Sequence, residues 1–370
     1  MSIPTTQKAV LIEGDKAVVK SNVPVPELSE GTVLLKIEAV AGNPTDWKHV
    51  AYGLGPQGSI LGCDVAGTVV KLGPNASDFV KVGDTGCSFV HGASQAEPTN
   101  GGFAEYAKVH PDMFYKAKLT HTTAEDITEG PVKYFETAAS LPVSLTTAGM
   151  ILTYNLGTKL KWHPSTPQHD YPLLIWGGAT AAGQQLIQLA KNLNAYTKIV
   201  VVASKKNETL LKSFGADDIF DYHDADVIEQ IKSKYPNLQH VVDAVSTPES
   251  FVQAYKATAD DSPATLLQLT MLSAKDIPEA DQKENVKIDT TLLYRSSGTE
   301  VKLGPWTLPA LPEYREATRK FIKFVNPYVE SGEIHHMNIH VFKNGLTDVP
   351  ELTEGIKNGK NKNVKYVASL

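Results

Sequence analysis

Residues 171–204 read YPLLIWGGATAAGQQLIQLAKNLNAYTKIVVVAS. The run LLIW is continuously apolar and leads into a glycine turn, and the following AAGQQLIQLAKNLN carries apolar residues at helical spacing. A second apolar run, KIVVVAS, comes next. A buried strand, an amphipathic helix and another buried strand in this order indicate one βαβ unit of a parallel sheet.

The same alternation continues towards the C-terminus. The helix-like segments are ETLLKSFGAD, VIEQIKSKY and PESFVQAYKATA, and the strand-like segments are DIF, QHVVDAVS and TLLQLTML. Such alternation is typical of a parallel sheet that helices cover on both faces. We therefore predict an α/β fold in which residues 150–326 form a doubly wound domain.

The residues outside this range follow a different pattern. Short segments rich in β-branched residues, among them KAVLIEG, GTVLLKIEAVAG and GGFAEYAKV, are separated by Gly and Pro. Another strand-like segment, VKYVASL, closes the sequence. We predict that residues 1–149 and 327–370 form a β-rich, barrel-like domain into which the doubly wound domain is inserted.

The composition argues against several other classes of protein. The 370 residues are 42% hydrophobic and 21% charged, which is ordinary for two globular domains and disfavours disorder. The formal net charge of −6 provides no basic surplus for neutralising phosphates, so no nucleic-acid partner is expected. The first ten residues, MSIPTTQKAV, lack the apolar core of a signal peptide, and no run approaches about 18 apolar residues. We therefore expect no membrane partner and a cytoplasmic location, with the nucleus as the alternative.

The turn after LLIW has the features of a dinucleotide site. It consists of Gly178, Ala179, Thr180, Ala181, Ala182 and Gly183. Glycine lets a pyrophosphate approach the backbone, and the helix N-terminus offers free N–H groups and the positive end of its dipole. Thr180 stands where the G-x-G-x-x-G pattern has its middle glycine, so the prediction depends on the surrounding strand, turn and helix. The alternative is a structural βα turn that binds nothing.

The end of the second strand, Ala203-Ser204-Lys205-Lys206, indicates which dinucleotide binds. A site for NAD places an acidic side chain about 20 residues after the glycines, where it accepts from the ribose 2′-hydroxyl. Ser204 follows Gly183 by 21 positions, and two lysines come next. These groups suit a 2′-phosphate, so we predict NADPH, with NADH as the weaker alternative. We also predict that the phenol of Tyr222 is a further donor at the same pocket. The alternative for the two lysines is that they are solvated loop charges.

Further motifs resemble the medium-chain dehydrogenase/reductase superfamily. They are NPTDWK at 43–48, LGCDVAG at 61–67 followed by VGD at 82–84, GGFAEY at 101–106, and GK at 359–360 followed by VKYV at 364–367. Their order resembles that of the quinone-oxidoreductase-like branch, which is zinc-independent and combines a GroES-like domain with a Rossmann domain. In detail the chain is similar to yeast NAD(P)H-dependent aldehyde reductases and to fungal trans-acting enoyl reductases.

The same resemblance implies that no metal is bound. In zinc-dependent relatives the segment that reads NPTD here carries a cysteine ligand, and Cys63 stands in the place of a histidine ligand. No cysteine follows Cys87, so a third ligand and the four-cysteine structural lobe are missing. A catalytic zinc needs three protein ligands and an open position. We therefore expect no zinc. A zinc site formed by Cys63 with either His49 or His91 is the alternative left open.

The NPTDWKH segment is the expected source of catalytic groups. By resemblance, Asn43, Thr45 and Lys48 lie near the nicotinamide ribose and the substrate, and Lys48 donates to the oxyanion that hydride transfer creates or to the cofactor. Tyr52 and His49 are further candidates for the acid. The alternative is that Asp46 and Lys48 form a local structural pair or cap.

Other residues are predicted to contact the cofactor or the substrate. Those assigned to the cofactor are Asp46, Lys365 and, at predicted strand ends where open sheets bind ligands, Val245, Ser246 and Thr270. Those assigned to the substrate are Leu141, Pro142, Thr146 and Tyr294. Thr146 begins the segment TTAGM at 146–150, and the alternative for this segment is that its small residues only form a packing face.

Together these features predict an enzyme, a zinc-independent, NADPH-dependent reductase of aldehydes or of α,β-unsaturated carbonyls. The two reactions differ in the carbon that accepts the hydride, and the sequence leaves both open. Quinone reduction on the same scaffold and a non-catalytic NADPH-binding protein are the alternatives. The segment TLLYRSSG resembles the surface through which such relatives dimerise, so a homodimer is expected.

Overall fold

The computed structural model describes residues 3–76 and 78–370, and the chain divides into two compact units. The first unit consists of Met1–Val143 and Tyr294–Leu370, and the second consists of Ser144–Leu293. The sequence placed the limits of the inserted domain at residues 150 and 326. The compact unit ends earlier than residue 326, because the residues after Leu293 return to the first unit.

The chain up to Val143 is rich in short strands. They are β1 (Thr6–Glu13), β2 (Lys16–Pro24), β3 (Val33–Ala41), β4 (Asp64–Leu72), β5 (Thr85–Phe89), β6 (Tyr106–Val109), β7 (Phe114–Lys116), β8 (Asp126–Ile127) and β9 (Gly130–Pro131). The helices are α1 (Pro44–Ala51), α2 (Phe135–Ala139) and α3 (Pro142–Met150), with a 3₁₀ turn at Pro111–Met113. Helix α3 begins at Pro142, and proline is tolerated at the first helical position because its missing N–H would have no intrahelical acceptor there.

The second unit alternates strands and helices. Its strands are β10 (Leu173–Trp176), β11 (Ile199–Val202), β12 (Asp218–Phe220), β13 (His240–Asp243), β14 (Ala264–Gln268) and β15 (Val286–Thr290). Its helices after α3 are α4 (Ala181–Asn192), α5 (Glu208–Ser213), α6 (Val227–Lys234) and α7 (Pro248–Lys256). Shorter turns are the π-helical Ile151–Asn155 and the 3₁₀ turns Lys205–Asn207, Ala274–Asp276 and Glu279–Asp281.

The returning segment completes the first unit. It contains β16 (Val301–Leu303), β17 (Trp306–Leu308), α8 (Pro312–Glu330), β18 (His335–His336), β19 (Ile339–Phe342), α9 (Val349–Lys357) and β20 (Lys365–Ser369), with 3₁₀ turns at Leu293–Ser297 and Gly345–Asp348. Helix α8 packs against β7 and the 3₁₀ turn Pro111–Met113. The predicted C-terminal strand is confirmed as β20.

Strand β3 organises the main sheet of the first unit, in which the strand order is β7-β5-β4-β3-β20-β19-β8. β4 pairs antiparallel along β3, while β6 pairs with residues 33–36 and β20 pairs with residues 39–41. Because β20 pairs with β3, segments distant in sequence contribute to one sheet. Apolar side chains from β3, β4 and α9 form the core beneath it.

The second unit confirms the predicted doubly wound sheet. All six strands are parallel and lie in the order β12-β11-β10-β13-β14-β15. Every residue of β10 and β11 is buried, as expected for apolar runs that are covered on both faces. The strand order reverses between β10 and β13, and open α/β sheets bind ligands outside the carboxyl ends of the strands at such a point. Within residues 3–76 and 78–370, no helix is both long enough and apolar enough to cross a bilayer.

Gly67 on β4 tests how closely the central strands of the first unit approach each other. A Cβ added there would lie 2.0 Å from the carbonyl oxygen of Lys36 on β3. We expect Gly67→Ala to lower the free energy of unfolding by about 1–3 kcal/mol, because the paired backbones must separate. Gly130→Ala, where an added Cβ meets nothing within 4 Å, is the control and should change it by less than about 0.5 kcal/mol. Urea unfolding measures both, and equal stabilities would contradict this account of the sheet.

Candidate functional site

The glycine turn between β10 and α4 has no room for side chains at two positions. A Cβ on Gly183 would lie 2.3 Å from the carbonyl oxygen of Gly177, and one on Gly178 would lie 2.2 Å from Val201 Cγ1. Gly177 itself has a φ of +87°, which favours glycine. The turn is therefore tight and presents bare backbone at the carboxyl edge of the sheet.

Thr180, which replaces the middle glycine of the dinucleotide pattern, is the N-cap of α4. Its hydroxyl oxygen accepts from the Gly183 N–H at 3.0 Å, and the hydroxyl donates to the Gly177 carbonyl at 2.9 Å. The N–H groups of Ala181 and Ala182 lie in the first helical turn, where no intrahelical acceptor exists. The predicted residues 178–183 thus form one cradle with donors suited to an anion.

Val245 and Ser246 follow β13, the neighbour of β10 across the point where the strand order reverses. Val245 is 41% exposed, and its side chain packs where Gly177 lacks one. The Ser246 hydroxyl donates to the Asp243 carbonyl at 2.7 Å and accepts from the Leu269 N–H at 2.8 Å. Ser246 therefore ties the ends of β13 and β14 together, and its contact with a cofactor stays a prediction.

Thr270, after β14, also has a partner within the second unit. Its hydroxyl donates to the side-chain oxygen of Gln268 at 2.8 Å. The Thr290 hydroxyl donates to the Thr270 carbonyl, also at 2.8 Å. Thr270 thus lies at the sheet edge where the sequence placed it, and β15 holds its backbone.

The corner after β11 contains the predicted lysines and, in addition, an acid. Lys205 and Lys206 are exposed in the 3₁₀ turn that follows Ser204. The Lys205 N–H donates to Asp221 Oδ2 at 3.0 Å, and His223 Nδ1 lies 2.6 Å from Asp221 Oδ1. Desolvation raises the pKa of Asp221, but the N–H groups of Lys205 and His223 and the His223 ring lower it to about 2.

Asp221 was not singled out from the sequence, because it follows the third strand of the domain rather than the second. The pairing of β11 with β12 places it beside Lys205. Tyr222, 52% exposed, packs its ring on His223 with centroids 4.1 Å apart. The corner therefore combines two exposed lysines, a phenol and an imidazole with two carboxylates: Asp221, whose oxygens already accept hydrogen bonds, and Asp224, whose Oδ2 lies 3.8 Å from Lys205 Nζ.

In the first unit, the NPTD segment starts α1. Asn43 is the N-cap and Pro44 occupies the first helical position, where a missing N–H costs nothing. Asp46 Oδ2 accepts from the Asn43 N–H at 2.7 Å, and Asn43 Nδ2 donates to Asp64 Oδ2 at 2.8 Å. Asp46 thus caps the helix through Asn43, and its predicted contact with the cofactor stays a prediction.

Asp64 and Lys365 form a buried ion pair. Lys365 Nζ lies 2.5 Å from Asp64 Oδ2 and 3.1 Å from Asn43 Oδ1, and the side chains of Lys365 and Asp64 are 4% and 0% exposed. Asp64 Oδ1 accepts from the Val143 N–H at 2.7 Å. The ammonium group of Lys365 is thereby engaged inside the first unit, and the predicted contact of this residue with the cofactor stays a prediction.

A cluster of polar side chains surrounds the Tyr294 hydroxyl. That hydroxyl is hydrogen-bonded to the hydroxyl of Thr45, and Cys63 Sγ lies 3.9 Å away. His49 Nδ1 lies 2.8 Å from the carbonyl oxygen of Thr45, and the His91 ring stacks on the Tyr294 ring with centroids 4.2 Å apart. The structure thus brings Thr45 together with Tyr294, two predicted site residues that are 249 positions apart.

Burial keeps most of this cluster uncharged. Desolvation lowers the pKa of His49 and lowers that of His91 to about 3, and it raises the pKa values of Cys63 and Tyr294. In residues 3–76 and 78–370, Nε2 of His49 and Nε2 of His91 have no hydrogen-bond partner. The same residues contain no group of three or more His, Cys, Asp or Glu side chains that is arranged to hold a metal ion.

Lys48 and Tyr52 differ in their exposure. Lys48 is half-buried, its Nζ lies 5.8 Å from the centre of the Trp47 ring, and desolvation lowers its pKa. Tyr52 is 62% exposed and its ring packs edge-on against Trp47. Lys48 is therefore a partly desolvated donor, whereas the Tyr52 side chain lies mainly in solvent.

The predicted substrate residues fall into two groups. Leu141, Pro142 and Thr146 are buried on or next to α3. Tyr294 lines a cavity of about 680 Å³ in the first unit, together with Phe89, His91, Val109, Ser296 and Arg315. One wall of this cavity is aromatic, since the rings of Phe89 and His91 both contact that of Tyr294.

Known proteins share this arrangement of domains. The alcohol dehydrogenase GroES-like domain matches residues 29–119, and the zinc-binding dehydrogenase family matches residues 181–300. The chain is 57% identical to uncharacterized protein YNL134C of Saccharomyces cerevisiae, over 100% of this chain and 99% of that protein. It is 31% identical to trans-enoyl reductase ACTTS2 of Alternaria alternata, over 99% of both chains. The solved quinone oxidoreductase from Coxiella burnetii has a similar fold, with a TM-score of 0.66 and 22% identity over 99% of both chains.

Asp46 makes the stability of the first unit depend on pH. Burial raises the pKa of its carboxyl from 3.8 to about 7, despite the hydrogen bond from Asn43. Below about pH 4 both folded and unfolded chains are protonated, and as the pH rises towards 7 the unfolded chain alone releases the proton, so stability is lost. Asp46→Asn keeps an oxygen acceptor for Asn43 and carries no charge.

We expect Asp46→Asn to gain unfolding free energy relative to the unmodified protein as the pH rises from about 4 to about 7, on the order of 1 kcal/mol per pH unit. Urea unfolding at several pH values measures this difference. Asp15→Asn, at an exposed position, is the control and should show a constant difference. A constant difference for Asp46→Asn as well would show that the carboxyl ionises normally.

Proposed function

We propose a reaction for this chain, which belongs to the medium-chain dehydrogenase/reductase family and to its quinone-oxidoreductase-like branch. Members of this family are oxidoreductases that use a nicotinamide cofactor. We propose that the chain uses NADPH to reduce aldehydes or the conjugated double bond of α,β-unsaturated carbonyls. The second reaction draws support from the trans-enoyl reductase relative, which is 31% identical.

The observation that carries the choice of NADPH is the corner after β11. Ser204, Lys205 and Lys206 occupy the position at which NAD-dependent Rossmann domains hold an acidic side chain for the ribose 2′-hydroxyl. The fold brings two acids near: Asp221 already accepts from two N–H groups and the His223 ring, and Asp224 Oδ2 lies 3.8 Å from Lys205 Nζ. Two exposed ammonium groups then attract a 2′-phosphate.

The glycine cradle fits the rest of a dinucleotide. A Cβ at Gly178 or Gly183 would overlap its neighbours, so the backbone of the turn stays bare, and the first turn of α4 offers free N–H donors. When bound there, reduced nicotinamide supplies the hydride. Lys48 and the Thr45–Tyr294 hydroxyl pair are the candidate donors for stabilising the negative charge that forms on the substrate oxygen.

We also propose that turnover needs no metal. Asn43 stands in the segment where zinc-dependent relatives have a cysteine ligand, and it is engaged with Asp64 and Lys365. Cys63 is buried beside the Tyr294 hydroxyl, and burial keeps its thiol protonated, whereas zinc binds the thiolate. This donor set does not fit the tetrahedral three-ligand site that a catalytic zinc requires.

The reaction itself is tested with a small panel of substrates. The purified protein is assayed for oxidation of NADPH and NADH with cinnamaldehyde, its saturated analogue and a quinone, and the products are identified by mass spectrometry. We expect oxidation of NADPH with cinnamaldehyde, giving cinnamyl alcohol if the carbonyl is reduced and the saturated aldehyde if the alkene is reduced. Dialysis against a chelator should leave the rate unchanged. Calorimetry that detects binding of neither nucleotide would refute the proposal.

The cofactor corner is tested by Lys205→Ala/Lys206→Ala. Loss of two charged contacts to the 2′-phosphate should raise the KM for NADPH by about tenfold or more and that for NADH by less than about twofold. The control is Lys320→Ala/Lys323→Ala, which removes the same charge from the exposed side of α8. Equal changes for the two nucleotides would mean that the lysines do not read the 2′-phosphate.

A further inference from the structure

Tyr294 is held rigidly by neighbours that belong to the first unit. It lies in the 3₁₀ turn Leu293–Ser297, its ring stacks on His91, and its side chain is almost completely buried. The His49 ring packs edge-on against it with centroids 5.6 Å apart. This packing fixes the phenol hydroxyl beside the hydroxyl of Thr45 and the thiol of Cys63.

The hydrogen bonds around Tyr294 allow a chain in which each group donates to the next. The carbonyl oxygen of Thr45 can only accept, so His49 Nδ1, which lies 2.8 Å from it, carries a hydrogen. The same Nδ1 lies 3.3 Å from the Thr45 hydroxyl oxygen, which therefore accepts from it. The Thr45 hydrogen is then free to donate to the oxygen of Tyr294. In this chain of donors the phenolic hydrogen of Tyr294 is left for a further acceptor.

Within the first unit, Cys63 Sγ is the neighbouring acceptor, and at 3.9 Å it is a weak one. A carbonyl oxygen is a far stronger acceptor than a thiol. We propose that the Tyr294 hydroxyl is the group that donates to the substrate oxygen during reduction, and that Thr45 and His49 position and polarise it. This inference rests on the proposed reductase activity and adds the identity of its acid.

The transfer balances when reduced nicotinamide is the hydride donor. Hydride would leave a C–H bond of the reduced nicotinamide, which is thereby oxidised, and would bond to the carbonyl carbon while the π electrons of the C=O bond move to oxygen. The O–H bond of Tyr294 breaks and its proton forms the product hydroxyl, leaving a tyrosinate that accepts a hydrogen bond from Thr45. After the product leaves, solvent water that enters the cavity lined by Tyr294 returns the proton. Burial raises the pKa of Tyr294, so the phenol is protonated again before the next cycle.

Tyr52 is the competing phenol among the candidate donors, and the two tyrosines differ in their surroundings. Tyr52 is 62% exposed, whereas Tyr294 is 8% exposed and lies beside two polar side chains. A donor that is preorganised in a desolvated site stabilises a developing oxyanion more than a solvated one does. The geometry therefore favours Tyr294.

The central experiment compares Tyr294→Phe with Tyr106→Phe, which removes a phenol hydroxyl from β6 outside this cluster. We expect Tyr294→Phe to lower kcat for the preferred carbonyl by about 100-fold and to change the KM for NADPH by less than about twofold. Tyr106→Phe should leave both unchanged. If Tyr294→Phe keeps more than half of kcat, or if Tyr52→Phe causes the loss instead, the assignment is overturned.

Thr45 supplies a second test that leaves the Tyr294 ring in place. Thr45→Val removes the hydroxyl that donates to the phenol and should lower kcat, whereas Thr45→Ser keeps that hydroxyl and should restore most of it. This pair of variants also decides the matter if Tyr294→Phe fails to fold, as checked by circular dichroism. Equal loss in Thr45→Val and Thr45→Ser would show that packing by Thr45, not its hydroxyl, is what matters, and would overturn the chain of donors.

A binding measurement separates this inference from the proposed reaction. Isobutyramide presents a carbonyl oxygen and accepts no hydride, and its affinity for the NADPH-loaded protein is measured by calorimetry. Loss of one hydrogen bond in Tyr294→Phe should weaken it by about three- to tenfold. If the unmodified protein reduces no carbonyl, the proposed function fails, but this comparison still decides whether Tyr294 donates to a carbonyl oxygen. Equal affinities would show that it does not.

Discussion

The buried ion pair of Asp64 and Lys365 holds the centre of the first unit together. It joins β4 to β20 through two residues that are 301 positions apart, and Asn43 and the Val143 N–H complete its hydrogen bonds. Removing two charges from water is costly, and such a pair is tolerated when further hydrogen bonds satisfy its remaining atoms. Through Asn43 the pair also sets where α1 begins, and with it the position of Thr45 and the rest of that helix.

Around this pair, burial leaves most of the site's titratable groups uncharged. Desolvation raises the pKa of Asp46 to about 7, keeps the thiol of Cys63 and the phenol of Tyr294 protonated, and lowers the pKa of His49. Neutral donors in a desolvated site suit a reaction in which negative charge appears on a substrate oxygen and then disappears. Lys48 lies on α1, as do Asp46 and His49. It is half-buried with a lowered pKa and adds a cationic donor.

The second unit relies on a different device, bare backbone at the edge of a parallel sheet. Glycine is required at 178 and 183 because a Cβ at either position would overlap its neighbours, while Thr180 caps the helix with its side chain. The hydrogen bonds of Asp243 and Ser246 hold the adjoining loop after β13. Backbone N–H groups at such an edge can bind a ligand. In the proposed function, the residues after β11 then select between NADPH and NADH.

Local patterns were enough to predict the parallel sheet, its glycine turn, the strand-rich first unit and the place of Lys205 and Lys206, because each depends on periodicity or on residues close in the chain. The folded chain was needed to show that Lys365 pairs with Asp64, that Asp221 accepts from the backbone of Lys205, and that Tyr294 meets Thr45. It was also needed to show that the second unit ends at Leu293. The three contacts join residues that are separated in sequence, and no pattern of spacing or polarity encodes which polar groups meet once the strands have paired.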